Sequence, residues 1–430
     1  MGGVTSAVAR FGLLVIVLAL GGSCSPGVVT DTDSDSDDDP GNDTTTVQRG
    51  SLTVRVGFDA ADAPIAASAG VTTAGLTVFL RRNIGNAPEQ ERMTDANGAV
   101  TFDALLQGSY QVRVERFLSA AEIALLPSQD KDASVFAGES TIQFRPPSAA
   151  GTVNLVAAKR GSLVLSEFYI YTLPGSLAGR NGHYLQVYNN SDTTVFMDGM
   201  LLFWSGFVLG SPQAPCAATE AFRADPSGSW ASHIERFPGS GREIAVPPGA
   251  VRTWATDAID HRPAGTGMQD LTTADFESIG NDADPNNPGA GDMIRMTRQS
   301  APNGLALGGL ALMGLALPVA TDTTQLERGR APLYTDGSLV SVFRIPHASI
   351  LDAVGLRLTP EWETQFLSFD ICQPDFNPLL ERASVRLVDE ALPVALSRRV
   401  IGRSSSGQDI LQRTRNSARD FARTAPLRRR

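Results

Sequence analysis

Asp257, Asp260 and His261 form the most suggestive group of reactive side chains in this sequence. A carboxylate that orients an imidazole can make the histidine a general base. Adjacent residues of a strand point to opposite faces, however, so Asp260 and His261 would not pair directly within one. The group favours a structural role in a turn at a strand end over a catalytic or metal-binding role.

A second group of polar residues lies in the segment 281–292. Asp282, Asp284 and Asn286 stand at alternate positions, as in the first half of a calcium-binding loop. The glycine and the closing glutamate of such a loop do not follow. The pattern favours a hydrated surface loop, and weak calcium binding is the only cofactor interaction that the sequence suggests.

The familiar catalytic motifs are absent. The chain has no G-x-S-x-G elbow, no H-E-x-x-H, no P-loop and no C-x-x-C, and its four histidines are scattered. Four tryptophans could stack on sugars if exposed, although a core position is expected for the first of them: Trp204, Trp230, Trp254 and Trp362. We therefore predict a protein with no catalytic residue.

The alternative is an extracellular hydrolase. Its acidic site would lie in the insertions around 205–300, with Asp257, Asp260 and Asp275 as candidates. Clustering of these carboxylates with a histidine in one deep pocket would favour the enzyme, and dispersed carboxylates would favour a binding protein.

Charge is distributed unevenly along the 430 residues. The formal net charge of -10 argues against nucleic acid as a partner, because such binding rests on neutralising phosphates. Residues 31–43 hold seven Asp and no base, whereas the chain from Arg398 onward holds ten Arg against two Asp. Both blocks are predicted to be solvated tails.

The N-terminus has the layout of a secretory signal peptide. Arg10 precedes an apolar run over 11–20 that is too short to span a bilayer, and Gly21-Gly22-Ser23-Cys24 follows. Small residues before a cysteine resemble the bacterial lipobox, at which the cysteine is acylated and becomes the mature N-terminus. Gly21 departs from that motif, which usually has a larger aliphatic residue there. Ser25 resembles the signal for the outer rather than the inner membrane.

Two cysteines remain after Cys24. In a chain exported to an oxidising compartment, Cys216 and Cys372 could form one disulfide or stay as two buried thiols. Their separation does not decide between these alternatives.

The elements that must position these residues are predicted to be strands. Apolar alternation begins at "SLTVRVGF" and returns at "GLTVFLRR", "AVTFDAL", "SYQVRVERF", "STIQFRPP" and "GTVNLVAA", with one short helix at "SAAEIALLP". The stretch around Asp95, Gly98, Gly108, Tyr110 and Val112 resembles the prealbumin-like or carboxypeptidase-regulatory-like β-sandwich family, with its D-x-x-G turn and G-x-Y-x-V strand. Such modules are typically non-catalytic.

Strand patterns continue beyond residue 160. In "YLQVYNNSDTTVFMDGMLLFW", Leu185 and Val187 share one face, and 200–204 is apolar on both faces, as in a strand covered on both sides. "LALGGLALMGLALP", 305–318, is too short and too broken for a membrane span and is predicted to form one or two buried strands.

These strands, with the "VPPG" turn at 246–249, resemble the immunoglobulin-like lamin-tail domain. Together with "TDAIDH", "LYTDGSLVSVFRIP" and "SRRVIG…DILQRTRNSARDF", they resemble an uncharacterised family of bacterial lipoproteins, a domain of unknown function. That resemblance implies a fold and a location, and no activity.

The sequence thus predicts an all-β chain with two immunoglobulin-like or prealbumin-like β-sandwich domains in tandem, the second larger with long loop insertions. The predicted divisions are a signal peptide (1–23), a lipidated cysteine with a disordered acidic tether (24–48), a carboxypeptidase-regulatory-like sandwich (49–158), a lamin-tail-like domain (159–423) and a basic tail (424–430). We expect a non-enzymatic lipoprotein of the outer membrane, facing the periplasm or the cell surface. Its expected partners are the membrane, through the lipid anchor, and another envelope protein or a polysaccharide.

Overall fold

The structure is a computed structural model of the chain. It describes residues 48–83, 88–131, 133–159, 163–170, 182–206, 209–210, 215–278, 287–297, 311–332, 338–357, 370–372, 376–377, 379–386, 393–404 and 406–427. By its internal contacts the chain divides into two compact units, 1–46 and 47–430. The first unit lies outside the described residues, and the fold given below is that of the second, which is predominantly β.

Residues 49–158 are called the first β-region here, and their described part forms seven strands and two short α-helices. In chain order these are β1 (Arg49–Phe58), α1 (Ala63–Ala69), β2 (Thr77–Arg82), β3 (Gln90–Met93), β4 (Ala99–Leu106), β5 (Gly108–Phe117), α2 (Ala120–Leu125), β6 (Val135–Phe144) and β7 (Ser148–Ala158). The strands are hydrogen-bonded in the order β3-β2-β5-β6-β7-β1-β4. Residues 148–155 of β7 pair with β1 in parallel, and residues 156–158 pair with β6 in antiparallel orientation. Strand β7 therefore joins the two halves of the sheet.

The alternation of apolar residues explains how this sheet closes over a core. Leu52, Val54 and Val56 of β1 are buried as predicted, and they share one apolar cluster with Phe102 of β4 and Val112 of β5. The side chains of successive strand residues point to opposite faces, so every second residue of these strands reaches the core.

Residues 163–424 are called the second β-region, and their described part contains the strands and helices given next. Up to residue 255 these are β8 (Leu163–Tyr169), β9 (Tyr184–Asn189), β10 (Val195–Phe196), β11 (Leu201–Ser205), β12 (Leu209–Gly210), α3 (Cys216–Arg223), β13 (Gly228–Ala231), β14 (His233–Arg236), β15 (Ala245–Val246) and β16 (Val251–Ala255). Beyond it follow β17 (Phe276–Glu277), β18 (Gly291–Asp292), β19 (Ile294–Arg295), β20 (Ala311–Ala316), β21 (Glu327–Pro332), β22 (Leu339–Pro346), β23 (Ile350–Arg357), β24 (Asp370–Ile371), β25 (Val385–Arg386), β26 (Ala395–Arg398), β27 (Val400–Arg403), β28 (Asp409–Leu411), α4 (Ser417–Asp420) and β29 (Phe421–Thr424).

Two large sheets of the second β-region pack on each other. One has the strand order β18-β17-β16-β9-β8-β26-β29, the other β19-β14-β11-β20-β23-β25. Leu185 and Val187 of β9 share a fully buried cluster with Leu202 and Trp204 of β11 and with Met313 of β20. The predicted faces of β9 and the double burial of β11 are confirmed.

A smaller three-stranded sheet, β13-β22-β21, borders the outer face of the six-stranded sheet. Leu201 and Phe203 of β11 cluster there with Ala231 of β13 and Ile345 of β22. The Phe203 ring lies over Gly314 of β20, where an added Cβ would stand 2.1 Å from the ring. Three two-stranded pairs, β10-β15, β12-β24 and β27-β28, are also formed by the described residues. None of the described helices is long and apolar enough to cross a membrane.

Some described elements differ from the sequence prediction. Strand β3 and helices α1 and α3 lie where the sequence predicted no element. Helix α1 is only seven residues long and Ala-rich, so it shows no amphipathic period, although Pro64 near its start and Gly70 at its C-cap, with φ 69°, mark its ends.

The two β-regions touch through an apolar contact. Val135, Ala137 and Ala158 of the first region cluster with Ile401 of β27 and Ile410 of β28. This contact brings β6 and β7 of the first region against β27 and β28. Nearby, arginines of the C-terminal segment lie next to carboxylates of the first region.

Candidate functional site

The predicted site residues fall in different parts of the molecule. Cys24 and the calcium candidates Asp282, Asp284 and Asn286 lie outside the described residues. The sulfur atoms of Cys216, at the start of α3, and Cys372, after β24, are bonded to each other, and their Cα atoms are 5.2 Å apart. This disulfide joins a helix to the segment that follows an edge strand.

Asp257 and His261 approach each other, whereas Asp260 points elsewhere. His261 Nε2 lies 2.9 Å from the Asp257 carbonyl oxygen and 3.9 Å from its carboxylate, and both side chains are buried. Asp260 instead accepts two bonds from Arg262, which also reaches Asp270 at 2.9 Å. The hydrogen bond from Arg262 lowers the pKa of the Asp260 carboxyl. His261 directly precedes a short 3-10 turn, which fits the structural role that the sequence favours.

The third acidic candidate of the hydrolase alternative is held separately. Asp275 accepts hydrogen bonds from Arg252 at 3.0 Å and from the Thr253 backbone N–H at 2.8 Å. Among the described residues, no three side chains of the His, Cys, Asp and Glu types are grouped so that they could hold a metal ion.

A buried polar cluster elsewhere contains a serine, a histidine and a glutamate. Glu235 accepts hydrogen bonds from Ser278 Oγ at 2.7 and 2.8 Å and from Trp254 Nε1 at 3.2 Å, and it lies 3.3 Å from His233 Nε2. In a serine-nucleophile triad the imidazole stands between the serine and the acid. Here the carboxylate stands in the centre, so the three side chains do not have the order of such a triad.

The described tryptophans offer no exposed platform for sugars. Trp204, Trp230 and Trp254 are all buried, with Trp204 against Trp254 in the core between the two large sheets. The predicted core position of Trp204 is confirmed. Trp362 lies outside the described residues.

A cleft between the two β-regions is lined by charged side chains that belong to no sequence motif. The first region contributes Asp62 at the N-cap of α1 and Asp130 at the end of a 3-10 turn. The second region contributes four arginines, and we call this site the arginine cleft: Arg382, Arg413, Arg415 and Arg419. It encloses about 90 Å³, which is room for several water molecules.

Ion pairs cross the arginine cleft from one region to the other. Arg419 donates to both carboxylate oxygens of Asp62, at 2.9 and 2.7 Å, and lies 2.8 Å from Asp59. Asp62 also accepts the Ala157 backbone N–H at 3.1 Å. Arg382 pairs with Asp130 at 2.5 Å. Paired guanidinium and carboxylate groups of this kind form strong, directional hydrogen bonds.

A fully buried ion-pair network supports the second-region side of the cleft. Asp352 lies 2.7 Å from Arg398 and 2.9 Å from Arg413, and Arg398 also reaches Asp420 at 3.0 Å. Burial raises the pKa of Asp420 to about 6, although the charge of Arg398 and the hydrogen bonds from Thr414 oppose that rise. Buried charges persist when they are paired and hydrogen-bonded, as these are.

The prediction of a solvated tail from Arg398 onward was wrong for the arginines of this network. Arg398, Arg413 and Arg415 are buried, and Arg419 is paired across the cleft. Their carboxylate partners come from distant parts of the chain, so the local charge block gave no sign of them. The excess of arginine at the C-terminus was the one sequence signal that pointed to this site.

Comparisons with known proteins add little to these residues. No family model and no curated protein matches the sequence. The chain is similar to the solved structure of a DUF4876 family protein from Bacteroides thetaiotaomicron VPI-5482, with 17% identity, a TM-score of 0.46, and coverage of 87% of this chain and 94% of that chain.

Two further solved structures are more distant. A DUF3823 family protein from Parabacteroides merdae shows 10% identity and a TM-score of 0.17 over 37% of this chain and 67% of that chain. The major pilin subunit of Bacillus cereus shows 11% identity and a TM-score of 0.17 over 70% of this chain and 96% of that chain. At these identities and TM-scores, none of the three supplies a function for this chain.

Proposed function

We propose that this protein is a non-enzymatic cell-envelope lipoprotein, anchored to the outer membrane through Cys24 and presenting its β-regions for binding or structural contact. The observation that carries the proposal is the N-terminal sequence, in which Arg10, an apolar run over 11–20 and three small residues precede Cys24. The run is too short for a membrane span and has the length of a signal-peptide core.

The acidic segment after Cys24 fits this arrangement. Seven Asp between 31 and 43, with almost no apolar side chain, cannot bury enough surface to offset the entropy of ordering. In the proposal 24–48 is a tether that gives the folded regions reach from the membrane surface, toward the periplasm or the cell exterior.

The proposed domains are a carboxypeptidase-regulatory-like sandwich over 49–158, a lamin-tail-like domain over 159–423 and a basic tail over 424–430. Three hydrogen bonds support the first assignment. Asp95 accepts the backbone N–H groups of Asn97 and Ala99 in the D-x-x-G turn, and Tyr110 donates to the Leu106 carbonyl from the G-x-Y-x-V strand. The Cys216–Cys372 disulfide belongs to the same proposal, because export delivers the chain into an oxidising compartment.

The dispersal of the acidic candidates supports a binding role over a hydrolase. Asp260 and Asp275 each form an ion pair with an arginine, and the buried Asp257 lies next to His261. The proposed partner is another envelope protein or a polysaccharide, reached through loops on a rigid β scaffold, where recognition sites usually lie.

Labelling with a radioactive fatty acid in a Gram-negative host tests the anchor. We expect the full chain to take up label and to sediment with outer membranes, and we expect Cys24→Ser to lose both properties. Cys216→Ser is the matched control, since it removes a cysteine and should keep the label. A wild-type chain that stays unlabelled and soluble in the periplasm would contradict the proposal.

A further inference from the structure

Strand β21 (Glu327–Pro332) is an edge strand, and one side of its backbone is unpaired among the described residues. It lies at the end of the sheet β13-β22-β21 and pairs along its whole length with β22 alone. Gly329 at its centre is half-buried, and since glycine has no side chain, this exposure belongs to the main chain. The free side of an edge strand is a template to which an extended chain can add by hydrogen bonds.

The two faces of β21 have different surroundings. A Cβ added at Gly329 would stand 2.9 Å from the Phe222 ring of α3, so the helix covers this face. By the alternation of a strand, Glu327 lies on the same face. Arg328 and Arg330 stand at the intervening positions, and both are exposed. The uncovered face of β21 therefore carries two positive charges and no negative charge.

Neither arginine is matched by a carboxylate in the part of the chain that the structure describes. Arg328 donates from Nε and Nη2 to the Ser341 hydroxyl, at 3.2 and 2.7 Å. Arg330 donates from Nη2 to the Leu339 carbonyl at 3.2 Å. Glu327, the acid of this strand, forms its ion pair with an arginine of β22. These neutral partners hold the two guanidiniums along the strand and leave their charge uncompensated.

The spacing of the two charges matches an extended acidic chain. Arg328 and Arg330 are two positions apart in a strand, which places them on one face roughly 6–7 Å from each other. A strand that adds to the free side of β21 brings its own alternate residues directly opposite them. Carboxylates at two alternate positions of that strand would form two cross-strand ion pairs, in addition to the backbone hydrogen bonds.

The unpaired main chain favours a polypeptide over an acidic polysaccharide. Peptide groups present donors and acceptors at the repeat that the edge of β21 requires, and a sugar chain does not. Leu339 of β22, directly opposite Pro332, is 51% exposed and offers a side chain of such a segment an apolar contact beside the arginines.

We propose that the free side of β21 binds an acidic polypeptide segment of a partner protein by strand addition, with carboxylates at alternate positions opposite Arg328 and Arg330. The inference deepens the proposed function and rests on its binding role, since it names a surface and a class of partner. Peptide binding is measured without a membrane, so its failure is distinguishable from failure of the Cys24 anchor in the labelling experiment.

The test follows the fluorescence anisotropy of short labelled peptides as the full chain, purified in detergent, is titrated into them. The probe alternates Asp with Thr. One comparison peptide has Asn in place of every Asp, and another has the same composition as the probe with its Asp residues grouped together. We expect the alternating probe to bind most tightly and the Asn peptide to bind about tenfold more weakly, because the cross-strand ion pairs are lost. Added salt should reduce this difference.

A methylated peptide tests the backbone bonds separately from charge. The alternating probe with an N-methyl group on every amide keeps its carboxylates and loses every backbone donor. We expect it to bind about tenfold more weakly than the probe, or worse. Equal binding of the two peptides would exclude strand addition.

Changing both arginines to threonine removes the charges from the protein side. Threonine suits an exposed strand position, so Arg328→Thr with Arg330→Thr should fold, bind the alternating probe about tenfold more weakly, and bind the Asn peptide as the wild type does. Arg328→Glu with Arg330→Glu should instead prefer a peptide with Lys in place of Asp, which a misfolded protein would not do. Arg55→Thr with Arg423→Thr removes the same charge from exposed positions of β1 and β29 and is the control.

Four results would overturn the inference. Absence of binding by every peptide would show that the edge takes no strand. Equal binding of the alternating and grouped peptides would reduce the effect to diffuse attraction between charges. Undiminished binding by the threonine variant would place the site elsewhere. Displacement of the probe by polygalacturonate at a lower concentration of charge than by unlabelled probe would assign the surface to an acidic polysaccharide.

Discussion

Glu381 is a buried carboxyl group that is surrounded by four hydrogen-bond donors. It accepts the backbone N–H groups of Gly355 at 2.9 Å, Ala383 at 3.0 Å and Ser417 at 3.0 Å, and the Ser417 hydroxyl is a fourth partner. Burial raises the pKa of Glu381 to about 8, because loss of hydration outweighs the hydrogen bonds that favour the charged form. This carboxyl ties β23 to the start of α4.

The raised pKa predicts that stability depends on pH through this residue. The contribution of Glu381 is fully present below about pH 4.5, its ordinary pKa, and is lost as the pH rises through about 8. We expect Glu381→Gln to remove this dependence. Relative to the variant, the wild type should lose up to about 1.4 kcal/mol of unfolding free energy per pH unit within that window.

Urea unfolding of the full chain at pH 5, 6.5 and 8 checks this prediction. Glu220→Gln, on the exposed side of α3, is the matched control and should follow the wild type. A difference between wild type and Glu381→Gln that stays constant with pH would contradict the assignment.

At the scale of single residues, the sequence indicated which charged side chains could react, and it did not indicate which side chains they would pair with. It recognised that Asp260 and His261 would not pair, and the structure shows why, since His261 turns to Asp257. The partners of Arg398 and Arg419 could not be predicted, because Asp352 and Asp62 lie far away in the chain and only the tertiary fold brings them close.

The central strands show how one glycine fits the packing between sheets. Gly314 of β20 lies opposite Phe203 of β11, and the aromatic ring occupies the space that a side chain on Gly314 would need. Overfilling a packed core forces side chains and backbone to shift.

We expect Gly314→Ala to lower the free energy of unfolding by about 1–3 kcal/mol, because its Cβ would overlap the Phe203 ring. Phe203→Leu removes the obstructing ring atoms, so the double variant should be more stable than the sum of the two single effects predicts. Gly241→Ala, with no atom within 4 Å of the added Cβ, is the control and should stay within about 0.5 kcal/mol of the wild type. Additive effects in the double variant would refute this account of the packing.

Strands were easier to predict than helices in this molecule. The period of two in β1 and β5 is visible because one face of each strand is more deeply buried than the other. In β9 both faces are buried, and the period is visible because Leu185 and Val187 alternate with tyrosine and glutamine. Helix α3 follows Pro215 and spans eight residues, too few to show a helical period clearly, and β3 is a four-residue exposed edge strand without an apolar face.

At the scale of the whole molecule, the Cys216–Cys372 disulfide cross-links two distant parts of the chain. It joins positions 156 residues apart. A cross-link over so long a loop restricts the unfolded chain strongly, and removing such a bond typically costs about 2–5 kcal/mol.

We expect the Cys24→Ser chain, unfolded without reductant, to show no titratable thiol, and to show two after reduction. Changing Cys216 and Cys372 both to Ser in that chain should lower its free energy of unfolding by about 2–5 kcal/mol. Reduction should destabilise the parent chain and leave the double variant unchanged. Two thiols in the absence of reductant would rule out the bond.

The pairing of Asp62 with Arg419 also has a consequence in time. These residues are 357 positions apart, so a ribosome that adds about 5–20 residues per second makes the guanidinium roughly 20–70 s after the carboxylate. Until then the first β-region has a complete set of strands and a buried aspartate whose counter-ion does not yet exist. A nascent protein stalled before Arg419 would leave the Asp62 carboxylate with the Ala157 N–H as a partner and without its guanidinium.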